Sequence, residues 1–429
     1  MSSYLTNITP DSISGIIFAF EGISRSIVLL NGPTGCKYYH SAVSDGQMIR
    51  QAEFDPLKFP EKWYFGQPRV PCSYLDNYDY VFGSHDKLEE ALNYICNNID
   101  FDILCIVNSP GAALIGDDLA GIARRIVVDK PVIIIETPGF SSDICKGYES
   151  AVLGLINQLK LTQSNKASQA VNILGLSLHH RNCGGDIIEL KHMMELCGIE
   201  VNCVLCADCD ITSIKKLPDA ALNIVINPEY ASETVEHLHK LFGTQYHICD
   251  GPPIGFKATE VFMHDICNKL NADISGFTNY CERARARAFS FISRINSLTG
   301  MPRGVTFAVE GTYSELYAYT SFFVRYFGMI PVCTSVTNPD SDCYKEIFYN
   351  LLDELQAKSA LNQDIMKTDG QFVLASGNTI AGLKLRKHSF FGIETALPTL
   401  GYIDVVPKTH LGVKGGLLLV EDVLNGMPY

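Results

Sequence analysis

Short apolar runs without polar alternation recur along the chain, and they constrain its fold more than any other feature. A strand buried on both faces of a parallel sheet has this pattern, because neither of its sides contacts water. The runs are rich in Ile, Val and Leu and lie at Arg25–Leu30, Asp102–Val107, Val132–Ile135, Val171–Leu176, Val201–Leu205, Leu222–Ile226, Val305–Val309 and Gln371–Ala375. They predict buried parallel strands in every part of the chain.

Amphipathic segments lie between these runs. In Lys87–Asn98, the side chains of Leu88, Leu92 and Ile95 fall on one helical face. Similar segments are Gly184–Leu196, Ala231–Leu241, Thr259–Leu270 and Ser314–Phe327. Strand alternating with helix is typical of βαβ units, so the sequence predicts an α/β fold.

Two breaks divide this alternation into three blocks of similar size. Leu161–Gln169 is polar, and Ser297–Arg303 follows a predicted long helix at Cys281–Ile295. We therefore predict domains at residues 1–165, 166–298 and 299–429, the first of which contains the candidate metal-binding cysteines. Domains typically have about 100–200 residues, which agrees with three of them in a chain of 429 residues.

Charge and hydropathy narrow the class of protein. The 34 Lys and Arg residues against 47 Asp and Glu residues give a net charge of −13, so a nucleic-acid partner is not expected. No run approaches the roughly 20 apolar residues that span a bilayer, and the N-terminus lacks the pattern of a secretory signal. We expect a cytoplasmic protein that does not bind a membrane. In that compartment its 15 cysteines indicate buried thiols and a few metal ligands rather than disulfides.

Cys36 is the first candidate ligand. A buried strand runs into the turn of the sequence LNGPTGCKYYH, which places Cys36 at the start of the next helix, where N–H groups stabilise a thiolate. A phosphate loop would need a Gly-Lys-Ser/Thr ending, which is absent, and a nucleophile would need a partner that His40 alone does not establish. A tight turn with an incidental cysteine stays open as an alternative.

Cys72 lies in a second loop of the same block, within VPCSYLDNYDYVFG, and two loop cysteines of one block can converge on an iron–sulfur cluster. A third loop, NSPGAALIGDD, ends in Asp117 and Asp118, for which capping of the helix at Leu119–Ile126 is favoured over metal binding.

Taken in order, these segments resemble component 1 of the nitrogenase family, which includes catalytic subunits, cofactor-assembly paralogues and dark-operative protochlorophyllide reductase subunits. The resemblance covers nearly the whole chain, and its motifs are specific as an ordered set. They are GPTGCKYY around Cys36, Cys72 with VFG at Val81–Gly83, LIGDD at Leu114–Asp118, TPGF at Thr137–Phe140, GYE at Gly147–Glu149, PIGFKATEVF at Pro253–Phe262, GMIPV at Gly328–Val332, Gly377–Asn378 and the ending Gly412–Asn425.

The resemblance implies three Rossmann-like domains with parallel sheets, and a homologous α-type subunit as partner in a heterodimer or an α2β2 heterotetramer. It implies an iron–sulfur cluster at their interface, either [4Fe–4S] or larger and P-cluster-like, reduced by an ATP-dependent iron protein. Cys36 and Cys72 match the first two cluster ligands. The third position is Pro110, which has no ligating side chain, so most ligands would come from the partner.

The catalytic α-type subunit of the family also binds a metal cofactor through a middle-domain Cys and a His near its C-terminus. The first position falls near Asn227–Pro228, where there is no Cys, and His410 lies in VPKTHLG, which resembles the β-type ending. The resemblance therefore implies a β-type oxidoreductase subunit that relays electrons to a substrate site mainly in its partner. A scaffold for assembly of a nitrogenase-type cofactor and a binding module without metal are the alternatives.

Other polar groups have weaker claims. Cys203, Cys206 and Cys209 have ferredoxin-like spacing, but a strand at Val201–Leu205 favours buried thiols over a second cluster. The segment 179–181 could line a cleft, and the arginines at 283, 285 and 287 spread around a helix that is solvated or lies at an interface. Tyr38 and Tyr39 fit packing at an interface.

Overall fold

Three parallel sheets form the framework of the protein. The computed structural model describes residues 10–36, 70–136, 142–164, 169–338, 344–361, 363–399 and 405–427. Each sheet combines strands that are separated in the chain by helices, so the predicted α/β class is confirmed. No helix among these residues is both long and apolar enough to cross a membrane.

The first sheet has the strand order β1–β2–β3, with Ser26 opposite Ile103 in the register. Its strands are β1 (Ser26–Asn31), β2 (Ile103–Asn108) and β3 (Val132–Ile135). Its helices are α1 (Ser12–Glu21), α2 (Asn77–Phe82), α3 (His85–Asn98), α4 (Pro110–Ala113), α5 (Leu119–Ile126) and α6 (Ile144–Leu159). The predicted apolar face of α3 packs with α5 against β1 and β2 to form one core.

The second sheet has the order β5–β4–β6–β7. Its strands are β4 (Ala170–Leu174), β5 (Glu200–Val204), β6 (Leu222–Val225) and β7 (Gln245–Ile248), and the helices of this region are α7 (Cys183–Glu195), α8 (Ile211–Lys215), α9 (Ser232–Phe242), α10 (Phe256–Leu270) and α11 (Ser275–Thr299). Asparagine amides link the strands: Asn202 Nδ2 donates to Asn172 Oδ1 at 2.8 Å, and Asn172 Nδ2 donates to Asn223 Oδ1 at 2.7 Å.

The third sheet has the order β11–β10–β8–β9. Its strands are β8 (Thr306–Gly311), β9 (Ile330–Val336), β10 (Phe372–Ser376) and β11 (Phe391–Ala396), and its helices are α12 (Tyr313–Phe327), α13 (Lys345–Glu354), α14 (Gly377–Leu385) and α15 (Gly412–Asn425). Every apolar run named above forms a strand, within one or two residues of its expected bounds at each end.

The chain packs into two compact units. The N-terminal unit comprises the described residues of 10–163 and 205–218, and the C-terminal unit comprises the described residues of 164–204 and 219–427. The first sheet belongs to the N-terminal unit, and the second and third sheets belong to the C-terminal unit. The domain boundaries at 165/166 and 298/299 stay a prediction.

Candidate functional site

The segment that carries Cys72 lies along the carboxyl end of β1. Leu30 N–H donates to the Pro71 carbonyl at 2.9 Å, and Ser73 N–H donates to the Leu30 carbonyl at 3.1 Å, as in a short parallel strand. The Cys72 thiol is 4% exposed and donates to the Gly32 carbonyl at 2.9 Å, while Tyr74 N–H donates to its sulfur at 3.4 Å. The sulfur of Cys72 is thus held against the turn that follows β1.

The same turn carries Cys36, and the end of β2 packs against it. A Cβ atom at Gly32 would lie 3.8 Å from Cys36 Cβ and only 2.5 Å from Ser109 Oγ, so the close approach requires glycine. Ser109 caps α4, whose first residue is Pro110. The structure therefore brings together the two predicted ligands and the proline of the third position.

Buried polar side chains form a hydrogen-bond network next to the turn that follows β1. Ser73 Oγ accepts from Gly32 N–H at 3.0 Å and donates to Asn31 Oδ1 at 2.7 Å. Asn31 Nδ2 donates to Asn108 Oδ1 at 2.9 Å, which joins the ends of β1 and β2. Because a satisfied buried network fixes its members, the backbone around both cysteines is held in one geometry.

Tyr80 of α2 stands beside the two cysteines. Its ring lies against the backbone of α4, since a Cβ atom at Gly111 would be 2.8 Å from Tyr80 Cε1. Burial raises the pKa of Tyr80, a hydrogen bond with Ser109 lowers it, and the charges of ionised Cys36 and Cys72 raise it. The phenol of Tyr80 therefore stays protonated at neutral pH.

A group of exposed apolar side chains surrounds this corner, which we call the apolar rim. Tyr78 and Phe82 of α2 have their ring centroids 4.5 Å apart and are 67% and 70% exposed. The other members are Tyr74, Val81 and Leu114, of which Leu114 is 88% exposed. Large apolar side chains gathered at the surface indicate a protein interface.

The donor set fits half of an iron–sulfur site. Cysteine thiolates are the usual ligands of such clusters, and two of them converge at the turn after β1. Within the described residues, no three His, Cys, Asp or Glu side chains come together as a metal site.

A second polar cleft lies in the C-terminal unit, at the carboxyl ends of its strands. Its lining includes Asn227, near the position at which the resemblance places the cofactor Cys of α-type subunits, and His410 of the β-type ending. Asn227 Nδ2 donates to the Gly175 carbonyl at 2.7 Å, and His410 Nδ1 is 2.7 Å from the Tyr319 hydroxyl. The cleft encloses about 30 Å³, which is enough for roughly one water molecule.

The ionisable groups of this cleft are buried, and burial shifts their pKa values. Burial raises the pKa of Asp186 to about 7, against hydrogen bonds from Thr409, Leu411 and His410 that lower it. Burial also lowers the pKa of His180, whose Nδ1 accepts from Ser177 N–H and whose Nε2 lies 3.6 Å from Glu315 Oε1. Shifted groups of this kind occur at functional sites and in structural networks alike.

The other candidate residues divide by location. Cys203 belongs to the C-terminal unit, whereas Cys206 and Cys209 belong to the N-terminal unit, where Cys206 N–H donates to Cys209 Sγ at 3.3 Å. Asp118 caps α5, as predicted, by accepting from Gly121 N–H at 2.8 Å. Tyr38, Tyr39, His40 and Thr137–Phe140 lie outside the described residues.

The arginines of α11 are spread around the helix as predicted. Arg283 and Arg287 are exposed, while Arg285 forms ion pairs with Glu260 and Glu282. His180 lines the polar cleft, which agrees with the weaker option for the segment 179–181, that it lines a cleft.

A larger cavity of about 500 Å³ lies between α10 and α12. Its size is that of a ligand pocket, but Lys257 is exposed and Arg325 pairs with Glu354 at 2.8 Å. It lies in the C-terminal unit, whereas Cys36 and Cys72 belong to the N-terminal unit. The two thiols are therefore the better candidate site.

Comparison with known proteins bears on this site. Residues 12–427 match the family of nitrogenase component 1 type oxidoreductases. The chain is 24% identical to one of the polypeptides of the light-independent protochlorophyllide reductase of Prochlorococcus marinus (strain MIT 9215), over 74% of this chain and 63% of that protein. It thus spans less than two thirds of that relative's length.

Two further proteins are similar over nearly the whole chain. The nitrogenase molybdenum-iron protein beta chain of Methanococcus maripaludis is 23% identical, over 96% of this chain and 91% of that one. A solved structure of nitrogenase Cp1 at pH 6.5 superposes with a TM-score of 0.77 at 17% identity, covering 98% of this chain and 92% of that one.

Proposed function

Because the chain belongs to the nitrogenase component 1 type oxidoreductases, as a β-type subunit or a paralogue of one, we propose that it works in a heteromeric oxidoreductase. In this proposal, Cys36 and Cys72 bind an iron–sulfur cluster that is shared with a homologous α-type subunit. The convergence of both thiols on the turn at Gly32 is the observation that carries the proposal.

Pro110 makes the shared cluster asymmetric. It occupies the first turn of α4 next to Ser109, where the resemblance implies a third thiolate. This chain then offers two ligands, and the partner supplies the rest of a [4Fe–4S] or larger P-cluster-like group. The bound group would supply one-electron transfer.

The residues of this chain would position and tune that group. Hydrogen bonds from N–H and O–H groups to cluster sulfurs and burial of the cluster are the protein's means of setting its potential. Tyr74 N–H, which donates to the Cys72 sulfur, already has the direction that such tuning needs.

The apolar rim supports a protein partner at the same place. Phe82, Val81 and Tyr78 present aromatic and aliphatic surface beside the cysteines, and such side chains are enriched at interfaces. We propose that the α-type subunit covers part of the rim, and that an ATP-dependent iron-protein reductase delivers electrons to the cluster in the cytoplasm.

The substrate site of the complex would lie mainly in the partner. The polar cleft of this chain encloses about 30 Å³, and no Cys stands near Asn227–Pro228, where the resemblance implies the cofactor cysteine of α-type subunits. The absence of a cysteine both at Pro110 and near Asn227 also favours a second candidate function. In that alternative, the chain is a scaffold that holds a nitrogenase-type cofactor during assembly and passes it on.

Anaerobic co-purification of the complex tests the cluster. We expect the Cys36→Ala and Cys72→Ala variants each to lose most of the iron and the EPR signal of the complex. The matched control is Cys96→Ala, because Cys96 is an exposed cysteine of α3 and should leave iron unchanged. Unchanged iron in both ligand variants contradicts the proposal.

An assay of substrate reduction distinguishes the two proposed functions. An oxidoreductase subunit supports substrate reduction with the iron protein and ATP, and this activity is lost in the ligand variants. A scaffold supports none, but it restores activity to an acceptor enzyme that lacks its cofactor.

A further inference from the structure

The cavity of about 500 Å³ in the C-terminal unit opens at the carboxyl end of β7, between α10 and α12. Open parallel sheets bind their ligands in crevices at the carboxyl ends of the strands. Cavities of about 300–1,000 Å³ hold organic molecules of moderate size. The cavity therefore has both the position and the volume of a small-molecule site.

The loop that follows β7 is fixed in place on α12. Cys249 N–H donates to the Val225 carbonyl of β6 at 3.2 Å, so the loop leaves the sheet in a defined direction. A Cβ atom at Gly251 would lie 2.6 Å from the Ser314 carbonyl oxygen, so the loop approaches α12 as closely as only glycine allows. The mouth of the cavity is thus formed before any ligand binds.

Aromatic rings form much of the cavity lining. Phe322 and Tyr326 of α12 are stacked with their ring centroids 5.1 Å apart, and Phe262 of α10 has its ring 6.5 Å from that of His247. Tyr317 is a further ring of the lining. Burial lowers the pKa of His247, so its imidazole is uncharged at pH 7. Aromatic faces carry partial negative charge, which attracts organic cations.

Two carboxylates line the same cavity. Asp250 follows the last residue of β7 by two positions, and Asp265 lies in the third turn of α10. Across the part of the chain that the structure describes, neither carboxylate forms a hydrogen bond or an ion pair. Both negative charges are therefore available to a ligand.

The cationic side chains of the lining do not cancel these charges. Arg325 is paired with Glu354 at 2.8 Å. Lys257 lies in the first turn of α10, eight residues before Asp265, which corresponds to about 12 Å along the helix axis. That separation exceeds the Debye length of about 8 Å at physiological ionic strength. The unpaired charges of the lining are two carboxylates and one ammonium group, which favours a cation.

We propose that this cavity binds an organic cation, an amine or quaternary ammonium compound that also carries an aromatic or other apolar group. The carboxylates of Asp250 and Asp265 attract the charged nitrogen. The rings of Tyr317 and Phe262 contact its carbon substituents, through cation–π attraction and burial of apolar surface.

Isothermal titration calorimetry of the full chain with benzyltrimethylammonium chloride tests the site. We expect a Kd below about 1 mM. Benzyl alcohol and sodium benzoate contain the same ring without the positive charge, so each should bind about tenfold more weakly or less. The comparison separates recognition of the charge from general apolar binding.

Two variants locate the binding. Replacing both carboxylates, in Asp250→Asn/Asp265→Asn, should weaken binding of benzyltrimethylammonium by about tenfold. Ala258→Trp should abolish it with Tm nearly unchanged, because Ala258 is an exposed residue of the lining whose enlarged side chain fills the cavity. Asp369→Asn is the matched control, because Asp369 is an exposed carboxylate of the same unit outside the lining, and it should keep the wild-type Kd.

The proposal is overturned if no probe binds, if benzoate binds as tightly as benzyltrimethylammonium, or if the double carboxylate variant keeps the wild-type Kd. The cavity lies in the C-terminal unit, whereas Cys36 and Cys72 belong to the N-terminal unit. The iron content of the complex and the binding of the probe are therefore separate measurements, and failure of one proposal leaves the other standing.

Discussion

Gly32 is the residue around which the two candidate ligands are arranged. A Cβ atom there would lie 2.5 Å from Ser109 Oγ and 2.6 Å from Ser109 Cβ, so the ends of β1 and β2 would have to separate. We expect Gly32→Ala to destabilise the protein by about 1–3 kcal/mol and to lower the iron content of the complex. Chemical denaturation and iron analysis measure both effects.

Gly35 provides the control, because a Cβ atom there has no neighbour within 4 Å among the residues that the structure describes. Gly35→Ala should keep the iron content and stability of the wild type. If both variants behave alike, the close packing of Gly32 against Ser109 does not position the cysteines.

The raised pKa of Asp186 predicts how the free energy of unfolding depends on pH. Its folded pKa of about 7 lies above the ordinary value of 3.8, so the folded state holds the proton more tightly than the unfolded state. The tighter binding of this proton stabilises the folded state. The stabilisation is therefore complete below pH 4 and is lost as the pH rises toward 7. Replacement by Asn removes the ionisation while keeping an oxygen for Thr409 and His410.

From pH 5 to pH 8, the free energy of unfolding of Asp186→Asn should improve relative to wild type by on the order of 2 kcal/mol. Denaturant titrations at both pH values measure this difference. Asp129→Asn, at an exposed carboxylate, should show no such change. A constant difference between wild type and Asp186→Asn would mean that Asp186 ionises normally in the folded protein.

The residues around Cys36 and Cys72 differ in how well the sequence predicts them. Cys36, Cys72 and Pro110 could be named because a recognisable motif surrounds each of them. Tyr80, Asn31 and Ser73 could not, because Tyr, Asn and Ser occur at many turns and only the folded chain shows which of them converge.

At the scale of elements, burial decides which strands the sequence predicts. The strands that were missed are β7, β9 and β11, and each of them lies at an edge of its sheet. Most residues of β7 are only partly buried, so its sequence QYHI lacks the continuous apolar run of a central strand. Helix α1 was missed for the opposite reason, because all of its residues are buried and it has no polar face.

The crossing of α1 and α6 depends on glycine. A Cβ atom at Gly147 of α6 would overlap the Ser12 carbonyl oxygen of α1, and one at Gly15 would overlap the Ile144 carbonyl oxygen. We expect Gly147→Ala to destabilise the protein by about 1–3 kcal/mol, although alanine favours helix, because the two backbones must separate. Denaturant unfolding measures the change.

Gly184 of α7 should behave in the opposite way. In the described part of the chain, a Cβ atom there has no neighbour within 4 Å, so Gly184→Ala should stabilise the protein by about 0.5–1 kcal/mol through helix propensity alone. If Gly147→Ala is also stabilising, the helices can move apart at no cost and the close crossing is not required.

At the scale of the whole molecule, the alternation of strands and helices could be predicted, but the path of the chain between units could not. Residues 205–218 return to the N-terminal unit after β5, and Tyr148 Oη donates to the Leu205 carbonyl there at 3.1 Å. This return separates Cys203 from Cys206 and Cys209, so a motif that is continuous in sequence is divided in the fold.

The apolar rim predicts how the molecule assembles. Phe82 is 70% exposed on α2, so replacing it by Glu costs the isolated chain little, whereas a buried charge in an interface is expensive. We expect Phe82→Glu to weaken binding of the α-type subunit at least tenfold, with Tm of the isolated chain unchanged.

Val128→Glu is the control, because Val128 is 78% exposed but follows α5 at the opposite edge of the first sheet from the cysteines. Analytical ultracentrifugation of each variant with the partner measures the affinity. Equal binding by Phe82→Glu and wild type would place the interface elsewhere and would leave the two thiols without a second chain to complete their ligand set.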